Sequence, residues 1–150
     1  MSLSATAVAQ SFLSVLWADN PPTDLELLVA VDRLLAAVHE VLPASPNDDE
    51  VELPERNWTA VYDEIAARFP TYGFYAVADP RTLGEAPMTG DAIDDLADIT
   101  NDLRQVLWHG ERSGPDEAGW YFRFSYETHW GRHAREFALF LHSRLTQSAD

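Results

Sequence analysis

The sequence predicts an all-α fold, a single domain over residues 1–150 built as a bundle of about five helices, and three observations lead there. Apolar residues recur at helical spacing in five separate stretches. Proline or a capping pattern marks most of the boundaries between those stretches. Only residues 120–126 alternate like a strand, and no partner strand is evident elsewhere. With 150 residues and 46% hydrophobic content, the chain is long enough to bury roughly two-thirds of its unfolded surface.

The first helix, over about residues 3–18, stacks Val8, Phe12, Val15 and Leu16 on one face. Asn20-Pro21-Pro22 stops it, and Thr23 with Glu26 forms a capping box for the second. That helix runs to about Leu42 with a wide apolar arc, Leu27, Leu28, Val31, Leu34, Leu35, Val38 and Val41. An arc so wide implies cover on two sides, which makes this helix the expected centre of the bundle. An acidic, proline-bearing connection around Asn47-Asp48-Asp49-Glu50 leads to a third helix, about residues 55–69, with Trp58, Val61, Tyr62, Ile65 and Phe69 on one stripe. Residues 70–89 show no period and read as one long irregular loop. At that length the loop suggests a lid. The fourth helix spans about residues 91–109 and the fifth about 115–146, the latter introduced by Ser113 and Asp116 at capping-box spacing with Pro115 in its first turn.

Composition narrows the function classes. A formal net charge of −15 disfavours nucleic acid and anionic membranes, both of which require a positive face. It suits a metal cation or a basic protein partner. No apolar run approaches the eighteen or so residues of a spanning helix, and Met1–Trp17 lacks the basic start of a signal peptide. A cytoplasmic protein is expected. The absence of cysteine removes disulfides, thiol nucleophiles and Cys-based metal sites.

Two helices carry the chemistry-bearing side chains. On the fourth, Leu96, Ile99, Leu103 and Val106 fill an apolar arc, with Asp95 and Asp102 at its boundary, Asp98 close by, and Asn101 and Gln105 opposite. Asp91, Asp94 and Asp95 fall near the helix N-terminus, where negative charge is favoured. Asp98 and Asp102 lie beyond that benefit and repel each other at i, i+4, so a cation is expected nearby. Arg123 on the next helix is the expected one, and a divalent metal the alternative. On the fifth helix Trp130, Ala134, Phe137 and Leu141 form an arc that extends back through Glu127 and Arg123. His129 and His133 share a face at the i, i+4 spacing of two zinc ligands, without the Glu of a His-Glu-x-x-His motif. No nucleophile elbow, P-loop or dinucleotide fingerprint is present. The spacing Asp95-x-x-Asp98-x-x-x-Asp102 resembles half of the magnesium site of all-α nucleotide pyrophosphohydrolases, and the other half is missing.

Three blocks carry a resemblance: Tyr75-Ala-Val-Ala-Asp79-Pro80, then Asp94-Asp95-Leu96-Ala97-Asp98-Ile99-x-x-Asp102-Leu103-Arg104, then Trp120-Tyr-Phe-Arg-Phe124-Ser125-Tyr126-x-x-x-Trp130-Gly131. Over about residues 58–145 the chain resembles the bacterial family known as domain of unknown function 5063. The resemblance implies a small bacterial all-helical protein and no particular activity. The leading expectation is an accessory or protein-interaction domain without enzymatic activity, in which an Asp/Arg/Trp cluster including Arg123 and Trp130 is structural. No cofactor is required on that reading. The alternative is a hydrolase of a phosphorylated small molecule dependent on a divalent metal such as Mg or Zn, with Asp95, Asp98, Asp102 and Glu127 as ligands and His129 and His133 nearby.

Overall fold

A computed structural model describes residues 3–46 and 53–147, so the acidic run 47–50 lies outside the described residues. Helix α1 (Ala5–Leu16) begins where the Ser4 hydroxyl accepts from the Ala7 N–H. Its C-terminus is held by Arg68, whose Nη2 donates to the Leu16 and Ala18 carbonyls at 2.8 and 2.6 Å. Helix α2 (Asp24–Ala37) starts at the expected capping box, Thr23 Oγ1 accepting from Glu26 N at 3.1 Å. It tightens into a 3₁₀ turn over Val38–Glu40. Helix α3 (Trp58–Arg68) is capped by the Asn57 side chain.

The expected irregular loop contains a hairpin. Strand β1 (Phe74–Val77) pairs antiparallel with β2 (Met88–Asp91), in register from Phe74↔Asp91 to Val77↔Met88. Four residues per strand are too few for a periodic signal, and Met-Thr-Gly-Asp has little strand propensity. What the hairpin uses is Gly90: a Cβ there would lie 2.7 Å from both the Tyr75 ring and Val77. The bare glycine lets the ring of its cross-strand partner lie flat on the backbone.

Helix α4 (Ala92–Ser113) follows at once, with Asp91 as its cap accepting from Ile93 N at 2.9 Å. Gly114, at φ +93°, then turns the chain into α5 (Pro115–Ser125). This turn needs a left-handed residue, and Gly114 rather than Ser113 occupies the N-cap position. Residues 120–126 are helical. A π-helical turn over Tyr126–Trp130 joins α5 to α6 (Gly131–Gln147), so the expected fifth helix is one rod interrupted by a single wide turn.

The centre of the bundle is α4, which packs against α1, α3, α5 and α6. Helix α2, the expected centre, packs against α1 and α6 and leaves Leu25 and Val29 exposed. The reason is that α4 buries polar side chains as well as apolar ones. Asp95, Asn101, Asp102 and Gln105 are all buried beside Leu96, Ile99, Leu103 and Val106. A wheel that treats polar residues as solvent-facing therefore understates its burial. Trp130, Phe122 and Phe137 are the largest fully buried side chains.

Candidate metal centre

The π turn decides where the histidines point. Gly131 N–H bonds the Tyr126 carbonyl, five residues back, and a π turn holds one residue more than an α-turn. Everything downstream is rotated by about 100° relative to a regular helix. The apolar arc of α6 therefore does not continue through Glu127 and Arg123 as a constant period requires. Arg123 leaves for the other side, where Nη1 donates to the Val38 and Val41 carbonyls at 2.8 and 3.2 Å and closes the end of α2. The expected Arg123–Asp102 pair does not form. Glu127 is exposed and belongs to neither of the three-residue groups of the described residues that could hold a metal ion. Trp130 is core: its Nε1 donates to Ser125 Oγ and the Phe122 carbonyl at 3.1 and 3.3 Å.

His129 and His133 instead meet the aspartates of α4. His133 places Nδ1 2.7 Å from Asp95 Oδ1 and Nε2 3.1 Å from Asp98 Oδ2. His129 places Nδ1 2.5 Å from Asp102 Oδ2 and Nε2 3.8 Å from the same Asp98 oxygen. Both rings thus use Nδ1 on a buried carboxylate and turn Nε2 toward Asp98. One ligand atom from each of Asp98, His129 and His133 lies within 4.8 Å of the others. Ligand atoms around a metal at 2.0–2.2 Å are separated by about 3 Å, so only small shifts would close this set.

Each carboxylate oxygen that faces away from this point has its own donor. Asp98 Oδ1 accepts from Trp58 Nε1 at 3.1 Å. Asp102 Oδ1 pairs with Arg56 at 3.1 Å, and that guanidinium also donates to the Tyr121 hydroxyl at 2.9 Å. Asp95 Oδ2 accepts a hydrogen bond from the Tyr75 hydroxyl on β1. Arg56 is thus the cation that the Asp98/Asp102 repulsion demanded. Sequence reasoning missed it because Arg56 sits just before α3, more than forty residues from its partner, and no local spacing marks it.

Electrostatics follow from this crowding. Burial pushes the Asp95 carboxyl up, opposed by its bonds to His133 and Tyr75. Burial alone would lower His133, yet the Asp95 bond and the charges of Asp98, Asp95 and Asp94 together raise it. Asp94, desolvated and close to Asp98, is pushed up to about 6. Asp94, Asp95 and His133 form a second three-residue group that shares His133 with the first. These side chains open onto a cleft of about 360 Å³ walled by Val77, Met88, Thr89 and Gly90 of the hairpin and by Arg132 and Glu136 of α6. Arg132 is held by Glu136 at 2.7 Å. A larger groove of about 590 Å³ between α1 and α2 is mostly apolar. It lies away from the histidines, and its size brings no chemistry with it.

A protein-family profile described as a domain of unknown function, DUF5063, matches residues 6–147. The chain belongs to that family. For this DUF5063 chain the match reaches the first two helices, where the sequence blocks showed little likeness. No curated protein matches it. Among solved structures it is similar to the crystal structure of protein BF1032 from Bacteroides fragilis, with a TM-score of 0.71 at 15% identity. The likeness covers 93% of this chain and 89% of that one. At such identity it shows a shared fold for this DUF5063 member, and no shared chemistry. Among the described residues, no helix is long and apolar enough to cross a membrane.

Proposed function

We propose that this helical domain binds one divalent transition-metal ion through His129 Nε2, His133 Nε2 and Asp98 Oδ2, and uses it for hydrolysis of a small molecule in the adjoining cleft. The observation that carries this reading is the partner held by each ligand. Asp95 and Asp102 sit on the Nδ1 atoms of the two histidines, and Trp58 sits on the spare oxygen of Asp98. Metal-binding histidines almost always have such a carboxylate or carbonyl on the second nitrogen, which fixes the tautomer and raises ligand basicity. Structural ion pairs have no need of two imidazoles converging on one carboxylate oxygen.

Two imidazoles and one carboxylate favour Zn, Fe or a neighbouring ion over Mg or Ca, which prefer oxygen ligands. This changes the ligand set expected from the sequence: Asp95 and Asp102 orient ligands, and Glu127 takes no part. Three protein ligands leave positions for water, whose pKa a bound zinc lowers to about 7. Asp94, which lines the cleft, would be the residue to take its proton. For a phosphorylated substrate the cleft cation would be Arg132, released from Glu136.

The test is calorimetric titration of chelator-stripped protein with zinc and manganese. One ion per chain is expected, with binding abolished in both Asp98→Ala and His133→Ala. Binding retained in those variants, or absent from the parent protein, would overturn the reading.

A second reading, an accessory domain for a basic protein partner, is favoured by the net charge of −15. Such a complex would weaken steeply with added salt, and affinity capture at two ionic strengths would show it.

A further inference from the structure

We infer that Tyr75 is a positioning residue that makes the β-hairpin and the metal centre one unit, so that metal occupancy sets the order of the cleft wall. The inference rests on the metal reading above. A hairpin of two four-residue strands is marginal by itself, and this one leaves Phe74, Met88 and the tip residue Leu83 exposed. Its inward face carries Tyr75 and Val77 against the body, with Gly90 beneath the Tyr75 ring. The ring packs on Phe140 of α6 at 5.2 Å between centroids. Its hydroxyl donates to Asp95, the carboxylate that also holds His133 Nδ1.

An unbroken hydrogen-bonded line therefore runs from β1 through Asp95 to a metal ligand. A metal drawing on the His133 lone pair makes its Nδ1–H a stronger donor to Asp95. It also fixes the ring against α4, and with it the carboxylate that Tyr75 grips. The same hairpin supplies Val77, Met88, Thr89 and Gly90 to the cleft. An ion bound at the histidines is thereby felt at the surface a substrate would touch. By reciprocity, whatever presses the hairpin onto the body tightens metal binding by the same factor.

Hydrogen exchange measured by mass spectrometry, with and without zinc, tests this in the parent protein and in Tyr75→Phe. In the parent, zinc should slow exchange of the amides of residues 75–77 and 88–90 by about tenfold or more. In Tyr75→Phe, which keeps the ring and its packing, zinc should still bind, about tenfold more weakly, the lower end of what loss of an outer-shell partner costs. There the zinc-dependent protection of the hairpin should disappear. A merely structural tyrosine would change hairpin exchange equally with and without the ion. Zinc binding with unchanged hairpin exchange in the parent overturns the linkage and leaves the metal reading intact. So does a Tyr75→Phe variant with parental affinity and protection. Failure of zinc to bind the parent at all removes the metal reading, and the linkage with it.

Discussion

Asp98 Oδ2 stands 3.1 Å from His133 Nε2 and 3.8 Å from His129 Nε2, so one carboxylate oxygen is the meeting point of two imidazoles from another helix. Without a metal, that contact is favourable only if a ring nitrogen facing Asp98 carries a proton. On the proposed metal reading, protons and metal ions would compete for this centre, and its behaviour with pH would have a definite sign.

The His133 pKa is raised above its ordinary value of about 6.5. Its contribution to apo stability is fully present below about pH 6.5 and is lost as pH rises through the raised folded value. Zinc ligates the neutral ring, so its affinity should rise over that same interval while apo stability falls. Thermal melts at several pH values from 6 to 8.5, with and without zinc, should show a metal-induced increment in Tm that grows with pH. A constant increment would contradict the shared site.

Asp94 adds a lower window. Its folded pKa of about 6 lies above the ordinary carboxyl value of about 3.9. Stability is therefore lost as pH climbs between those two values, because the native state disfavours the charged form. Asp94→Asn should flatten the apo stability profile between about pH 4 and pH 6. Urea midpoints across that range would measure it, and an unchanged slope would count against the desolvated placement of this side chain.

Asp95→Asn and Asp102→Asn should each weaken zinc binding by about 10–100-fold without abolishing it. The Asn carbonyl oxygen can still accept from Nδ1–H, but as a neutral and weaker acceptor than a carboxylate it leaves the ring less firmly oriented and less basic. Competition with a zinc-sensing dye would resolve the loss. Complete abolition would make these residues ligands, as the sequence alone suggested.

Arg123→Ala should cost about 1.5–3 kcal/mol of stability, the range for hydrogen bonds from a charged donor, because it frees the Val38 and Val41 carbonyls. Zinc affinity should stay within about twofold, an expectation that follows from additivity between distant sites. Urea denaturation and calorimetry on one preparation would separate the two effects.

Much of the architecture was readable in the chain. The Thr23/Glu26 capping box, the prolines at 21, 22, 43 and 70, and the apolar stripes on α1, α3 and α4 locate the helices by local physics alone. The hairpin was not readable, since its strands are held by a ring lying on Gly90 and by a tether to Asp95. Within the site, Asp98, His129 and His133 stood out individually, because carboxylates past the first helical turn and imidazoles four apart are costly or notable anywhere. Their grouping was hidden for two reasons. Arg56, Trp58 and Tyr75 come from segments distant in sequence, and the assumption of a constant helical period failed at residues 126–130. That assumption sent Arg123 toward Asp102 and Glu127 toward the core.

The wide turn also constrains the number of residues between Phe122 and Phe137. Gly131 fits there because any larger side chain would strike the Tyr126 carbonyl at 2.5 Å and its ring at 2.7 Å. On the metal reading, deleting one residue within 126–130 would restore an α-helical turn and rotate His133 by about 100° relative to α5, out of alignment with α4, even with each ligand retained. A homologue that keeps the histidines but has a one-residue gap in this stretch would thus have to hold any ion by some other arrangement.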